Sequence, residues 1–250
     1  MCVLALAFDI HPRWRLVLAG NRDELHARPA APVHPWDGPG GVLAGLDLQS
    51  GGTWLGVSEE GRLAVVTNLR GYGPPEADRP SRGLLLRDLL IGDGVYASPA
   101  DHDLEAFNPF NLFALTDGAL MFWSNRPGIE RRALGPGLYG ASNGPLDAPW
   151  PKTVRLKAAL EDWLQADAER PAAMLEALMD DQPPPTLAGP SSDAPEPPQT
   201  PVFIRNPLYG TRCSTVVATD RDGRGRIVER RYDADGQAVG ETALEFTWPW

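Results

Sequence analysis

The chain alternates short apolar runs with polar or glycine-rich breaks, and most runs have strand character. Residues 2–10 and 14–21 are apolar and β-rich, joined by His11-Pro12-Arg13, which predicts a hairpin. Residues 26–41 are rich in Pro and Gly and read as a loop. Residues 53–58 and 62–68 flank Glu59-Glu60-Gly61, a second hairpin signal. Ser81 is placed to cap a helix through RGLLLRDLL, and residues 101–107 suggest a second, short helix. NLFALTD and ALMFWSN flank Gly118 as a third hairpin, and GLYGASN (137–143) reads as a strand with a polar end. From Pro151 to about Asp180 the spacing is helical: Val154, Leu156, Leu160, Trp163 and Leu164, then Met174, Leu175 and Leu178, with Pro171 starting a second helix. TRCSTVVATD, RIVERRYD and TALEFTW predict a C-terminal meander turning at 223–225 and 235–236.

Strands, helices, strands, helices, strands is the order of an α+β protein with antiparallel sheets, not of alternating βαβ units. Residues 2–8, and 62–66 after its leading Arg62, are apolar at consecutive positions, so both strand faces are expected to be buried. Two sheets stacked between helix layers, a four-layer αββα sandwich, satisfy that pattern. Residues 183–201 hold eight prolines and few large apolar groups, and the C-terminal stretch beyond them is too small to fold alone. The expectation is a single domain over 1–250 with a flexible Pro-rich loop at about 183–201. No internal repeat is visible.

Composition removes several classes of function. The 250 residues are 42% hydrophobic, enough for a substantial core, and carry a net charge of −10 with a pI near 4.9. That balance excludes a basic nucleic-acid footprint and a polybasic membrane site. No run reaches the eighteen apolar residues of a spanning helix, so no transmembrane segment is expected. The first apolar run has no basic region before it, unlike a signal peptide, and a cytoplasmic location is expected. Two cysteines cannot build a disulfide framework. Nucleotide-loop, zinc and covalent-haem motifs are absent. Gly140-Ala141-Ser142-Asn143-Gly144 fits a nucleophile elbow, but all four histidines (His11, His26, His34 and His102) precede it, which breaks the required order.

The chemistry gathers at the start of the chain. If Met1 is trimmed, Cys2 carries a thiol and a free α-amine on one residue, a nucleophile with its own base. A hairpin centred on position 12 sets residue 2 opposite position 22, which brings Arg22 and Asp23 beside Cys2. A guanidinium there favours thiolate, and Asp23 is placed to hold the amine. The competing reading is a small buried cysteine beside a solvated strand end.

Cys2, GNRDE (20–24), GGTWLGV (51–57), VTNLR (66–70), ASNGPLDAPWPK (141–152) and YGTRCSTVV (209–217) together resemble the NRDE family, the transport and Golgi organisation protein 2 family. The matches run over most of the chain. The resemblance implies the N-terminal-nucleophile (Ntn) hydrolase fold and a distant similarity to choloylglycine hydrolases. It also implies links to haem trafficking and to lipid or acyl-CoA handling. By that similarity Cys2 is the nucleophile, Arg22 its neighbouring arginine and Asp23 the carboxylate that engages the amine. Asn68 and Asn143 are oxyanion or amine-side residues at strand ends, and Arg212 is a late structural or catalytic arginine. Asn68 and Asn143 also suit plain turn formation, and Arg212 also suits a simple pairing with Asp23. Two functions stay open. One is hydrolase or acyltransferase work on an amide or thioester of a small amphipathic ligand, with no cofactor. The other is a non-catalytic carrier or chaperone for haem, with His26 and His34 as candidate ligands, or for a lipid or acyl-CoA ligand.

Overall fold

A computed structural model describes residues 3–166, 168–183 and 200–249. Cys2 and most of the expected Pro-rich loop, residues 184–199, lie outside the described residues.

The first hairpin pairs β1 (Val3–Phe8) with β2 (Trp14–Leu25) in the anticipated register, Val3 opposite Asn21 and Phe8 opposite Leu16. Its turn closes with Asp9 N–H donating to Arg15 O at 2.7 Å, while the His11 ring nitrogen accepts from the Arg13 and Trp14 amides. Next come β3 (Ala30–Pro35), β4 (Val42–Asp47), β5 (Leu55–Ser58) and β6 (Arg62–Asn68). Helix α1 (Arg82–Ile91) starts as expected at Ser81, whose hydroxyl accepts from Gly83 N–H, and stops at Gly92 in the left-handed region. A short α2 (Asp101–Glu105) leads to β7 (Phe110–Thr116), β8 (Ala119–Ser124), β9 (Glu130–Leu134) and β10 (Gly137–Ala141). Helix α3 (Pro151–Gln165) opens on its proline, and Pro171 starts a 3₁₀ turn that runs into α4 (Met174–Ala177). The meander is β11 (Tyr209–Asp220), β12 (Arg224–Tyr232) and β13 (Ala238–Thr247).

These strands form two antiparallel sheets, ordered β10-β1-β2-β11-β12-β13 and β3-β4-β5-β6-β7-β8-β9. Leu4, Leu6, Leu16 and Leu18 face Leu55, Val57, Phe113 and Phe122 between them. On the far side of the first sheet, Val3, Ala5, Val17 and Ala19 pack under Leu156, Leu160 and Leu175 of α3 and α4. Ala64, Val66 and Leu112 of the second sheet pack under Leu85, Leu86 and Leu89 of α1. Each layer boundary buries one parity of the strand residues, which is why consecutive positions are apolar. A fully buried leucine such as Leu4 stabilises by about 1.5–3 kcal/mol. The architecture is the αββα sandwich the pattern implied.

Three strands escaped the sequence reading. β3 lies within the stretch expected as loop; its prolines are tolerated because it is an edge strand, and the register shifts between Ala31 and His34. Across that irregularity Val33 N–H donates to Glu229 Oε1 of the opposite sheet at 3.0 Å. β4 contains Gly45, which breaks the apolar run; a Cβ there would meet the Trp54 ring at 2.5 Å. β9 is exposed at four of its five positions and so carries no apolar signal.

The GGTWLGV stretch also has a packing role. A Cβ on Gly52 would lie 2.1 Å from the Gly83 carbonyl carbon, so the turn before β5 touches the backbone of the first helical turn of α1. Gly52→Ala should therefore destabilise the protein by about 1–3 kcal/mol in chemical denaturation. A change below about 0.5 kcal/mol would show that this contact yields freely.

Candidate active site

The polar end of β2 distributes its side chains by strand parity. Asn21, fully buried, turns toward the helix layer, where its Nδ2 donates to Leu178 O at 2.8 Å and Val202 O at 2.9 Å. Its Oδ1 accepts from Ser214 Oγ at 2.7 Å, and Tyr232 OH donates to that hydroxyl at 3.1 Å. Asn21 thus ties the centre of the first sheet to chain segments on both sides of the Pro-rich stretch. Arg22 turns the other way. It is 4% exposed, and its guanidinium carbon stands 4.3 Å from the Trp54 ring centroid, a cation–π stack. Asp47 Oδ2 lies 3.9 Å from Arg22 Nη2, too far for a hydrogen bond but close enough to balance charge, and accepts from Arg28 Nε at 2.8 Å. The Gln49 and Ser50 amides complete the acceptor capacity of Asp47 through its Oδ1. Asp23, also 4% exposed, accepts from Thr211 Oγ1 at 2.7 Å through Oδ1.

Arg22, Asp23 and Asn68 all line one cavity of about 670 Å3, bounded by the 47–54 turn, the 75–80 segment and the start of α1. Asn143 is buried behind it: Nδ2 donates to Asn68 O at 2.9 Å, and Arg70 N–H donates to Asn143 O at 2.9 Å. The Asn143 Oδ1 has no hydrogen-bond partner among the described residues. The two strand ends carrying Asn68 and Asn143 are therefore bonded together.

Arg212 behaves differently. It occupies a bulge between Thr211 and Cys213, and its Nη1 donates to the carbonyls of Leu25, His26 and Arg28 at 2.9–3.1 Å. It fastens the turn after β2 instead of pairing with Asp23, whose Oδ1 goes to Thr211. Burial first, then the Arg22 charge, lower its pKa from the ordinary arginine value. His26 Nε2 is engaged with Asn206 O at 2.9 Å and His34 Nδ1 with Pro32 O at 2.7 Å. Trp54 and Asp47, which fix Arg22, were not singled out as site residues. Trp54 sits in the GGTWLGV motif; Asp47 gives no local signal.

A second cavity of about 770 Å3 opens at the opposite end of the same strands, near Trp14, Asp220 and Gly225. It holds none of the residues proposed for chemistry.

Cys213 is buried between the sheets opposite Arg22 in register, against Glu229. Burial pushes the thiol well up, and the Glu229 charge adds to it. The same desolvation raises Glu229, with the Val33 amide opposing.

Comparison with solved structures identifies the fold. A Caenorhabditis elegans N-acylethanolamine-hydrolyzing acid amidase ortholog superposes with a TM-score of 0.51 at 13% identity, covering 86% of this chain and 92% of its own. The C2A mutant of conjugated bile acid hydrolase from Clostridium perfringens gives 0.52 at 9% identity over 100% and 97%. The fold is that of the Ntn hydrolases. The sequence model of the Transport and Golgi organisation 2 family matches residues 1–234, and the Bos taurus transport and Golgi organization protein 2 homolog is 34% identical over 92% of both chains. This chain belongs to the Transport and Golgi organisation 2 family.

Two measurements check this geometry. Asn21→Ala removes three buried hydrogen bonds and leaves their partners unsatisfied, so it should cost about 2–4 kcal/mol in denaturant titration; a loss under about 1 kcal/mol would deny Asn21 its anchoring role. Glu229 has a folded pKa above its unfolded value of about 4.3. The folded state thus binds the extra proton, and that stability is present below the unfolded value and is lost as pH rises through the folded one. Glu229→Gln should therefore flatten the fall in Tm from about pH 4 upward; an unchanged profile would locate the titration elsewhere.

Proposed function

We propose that the chain, with Met1 removed, is an N-terminal cysteine hydrolase or acyltransferase for an amide or thioester of a small amphipathic molecule. One observation carries the reading. β1 begins at Val3 opposite Asn21, and the two β2 residues just beyond Asn21, Arg22 and Asp23, line the cavity with Asn68. The fold neighbours, by name an acid amidase and a bile acid hydrolase, support the same class of chemistry.

In this reading the α-amine accepts the thiol proton as sulfur attacks the carbonyl carbon. Arg22 favours thiolate, and Asp23 holds the ammonium that forms. The developing oxyanion is met by amide donors, with Asn68 at the cavity wall and Asn143 bonded behind it. The tetrahedral species collapses as the amine or thiolate leaves with the proton. Water then hydrolyses the acyl-cysteine, releasing the acid and restoring the thiol; an acceptor nucleophile in place of water gives transfer. Arg212 acts by holding the turn behind Arg22. No cofactor enters the scheme.

Intact-mass spectrometry with a panel of amides and thioesters tests it. The expected result is a chain lacking Met1 and an acyl adduct that Cys2→Ala abolishes without unfolding the protein. Arg22→Ala should slow alkylation of Cys2 by iodoacetamide severalfold. A retained Met1 in competent material, or haem binding lost on His26→Ala or His34→Ala with no adduct, would favour the carrier.

A further inference from the structure

The three leucines that are exposed among the described residues each lie next to a residue that lines the cavity or next to one another. Leu25 is 52% exposed, Leu48 55% and Leu208 75%. They belong to three separate segments. Leu25 follows Glu24, and Leu48 stands between Asp47 and Gln49; these three neighbours all line the cavity. Leu208 is brought alongside Leu25, because His26 N–H donates to Leu208 O at 3.0 Å and Leu25 pairs with Tyr209. Leu48 N–H donates to Pro29 O at 3.1 Å, joining its turn to the segment just after Leu25. Isolated exposed leucines are ordinary; three from separate segments gathered beside one cavity are not.

We propose that this leucine rim docks the cavity mouth onto the surface of a net-neutral, zwitterionic lipid bilayer. The leucines would enter the boundary between headgroups and acyl chains and leave the cavity facing the lipid. Charge selects the surface. The cavity lining carries four arginines against four carboxylates, so the mouth is balanced, whereas the whole chain stands at −10. An anionic membrane repels such a molecule; a zwitterionic one does not. Area argues against a second copy or a protein partner. The three side chains together expose less than two whole leucines, far below the roughly 800 Å2 per partner of a stable protein interface. Among the described residues no helix is long and apolar enough to cross a membrane, so the contact is peripheral. Docking through the rim is independent of Cys2 chemistry.

Flotation of the full chain with phosphatidylcholine vesicles tests the proposal. Wild type should float, with little dependence on salt, and Cys2→Ala should float equally. Leu25→Ser/Leu48→Ser/Leu208→Ser should lower vesicle affinity by about tenfold or more, with an unchanged Tm because all three positions are exposed. If that triple variant misfolds, Leu208→Glu alone is held to the same criterion. Absence of flotation, equal flotation of the variant, or flotation that requires phosphatidylserine would each overturn the proposal. So would a wild-type dimer in light scattering that the variant dissolves, which would assign the rim to a second copy.

Discussion

Burial of β2 on both faces is the constraint on which the other features depend. Leu16 and Leu18 fill the space between the sheets, while Val17 and Ala19 meet the helix layer. A slip of one residue would exchange the two sets, so the register has one acceptable value. The 9–15 turn fixes it at one end and the Asn21 bonds fix it at the other. Once it is fixed, position 22 has to face the second sheet, and a guanidinium has to be accommodated there.

Accommodating it explains the polar architecture at that end of the sandwich. A buried cation needs a countercharge and a surface that tolerates it. Asp47 supplies the charge and the Trp54 face the surface, and Gly45 leaves room for the indole that Arg22 stacks on. The apolar middle of the sandwich gives way here to a cavity, while deeper in, Cys213 and Glu229 remain enclosed between the sheets. The opening at the far end, near Trp14 and Asp220, lacks this arrangement.

The leucine rim and the charged interior complement one another. The cavity lining carries four arginines and four carboxylates, and the exposed Leu25, Leu48 and Leu208 lie beside it.

Much of this was legible in the chain. Consecutive apolar positions in 3–8 and 63–66 required burial on two faces, and hence stacked sheets between helices. The distance from residue 2 to residue 22 about a turn at 12 was enough to set the hairpin register. Ser81, Pro151 and Pro171 marked helix starts by local chemistry. Local patterning failed where long-range partners decided the outcome. β3 forms against its prolines because an edge position and a bulge tolerate them, and its Val33 amide is satisfied by Glu229, distant in sequence. β9 forms on an exposed edge with no apolar stripe. Asp47 joined the site, and Arg212 was drawn to the carbonyls of the β2–β3 turn, because β4 and the β11 bulge bring those side chains to their partners. Periodicity and spacing determine which faces are buried and which neighbours pair along one hairpin. Which charges meet across the sheets depends on strand order, and only the folded chain sets that.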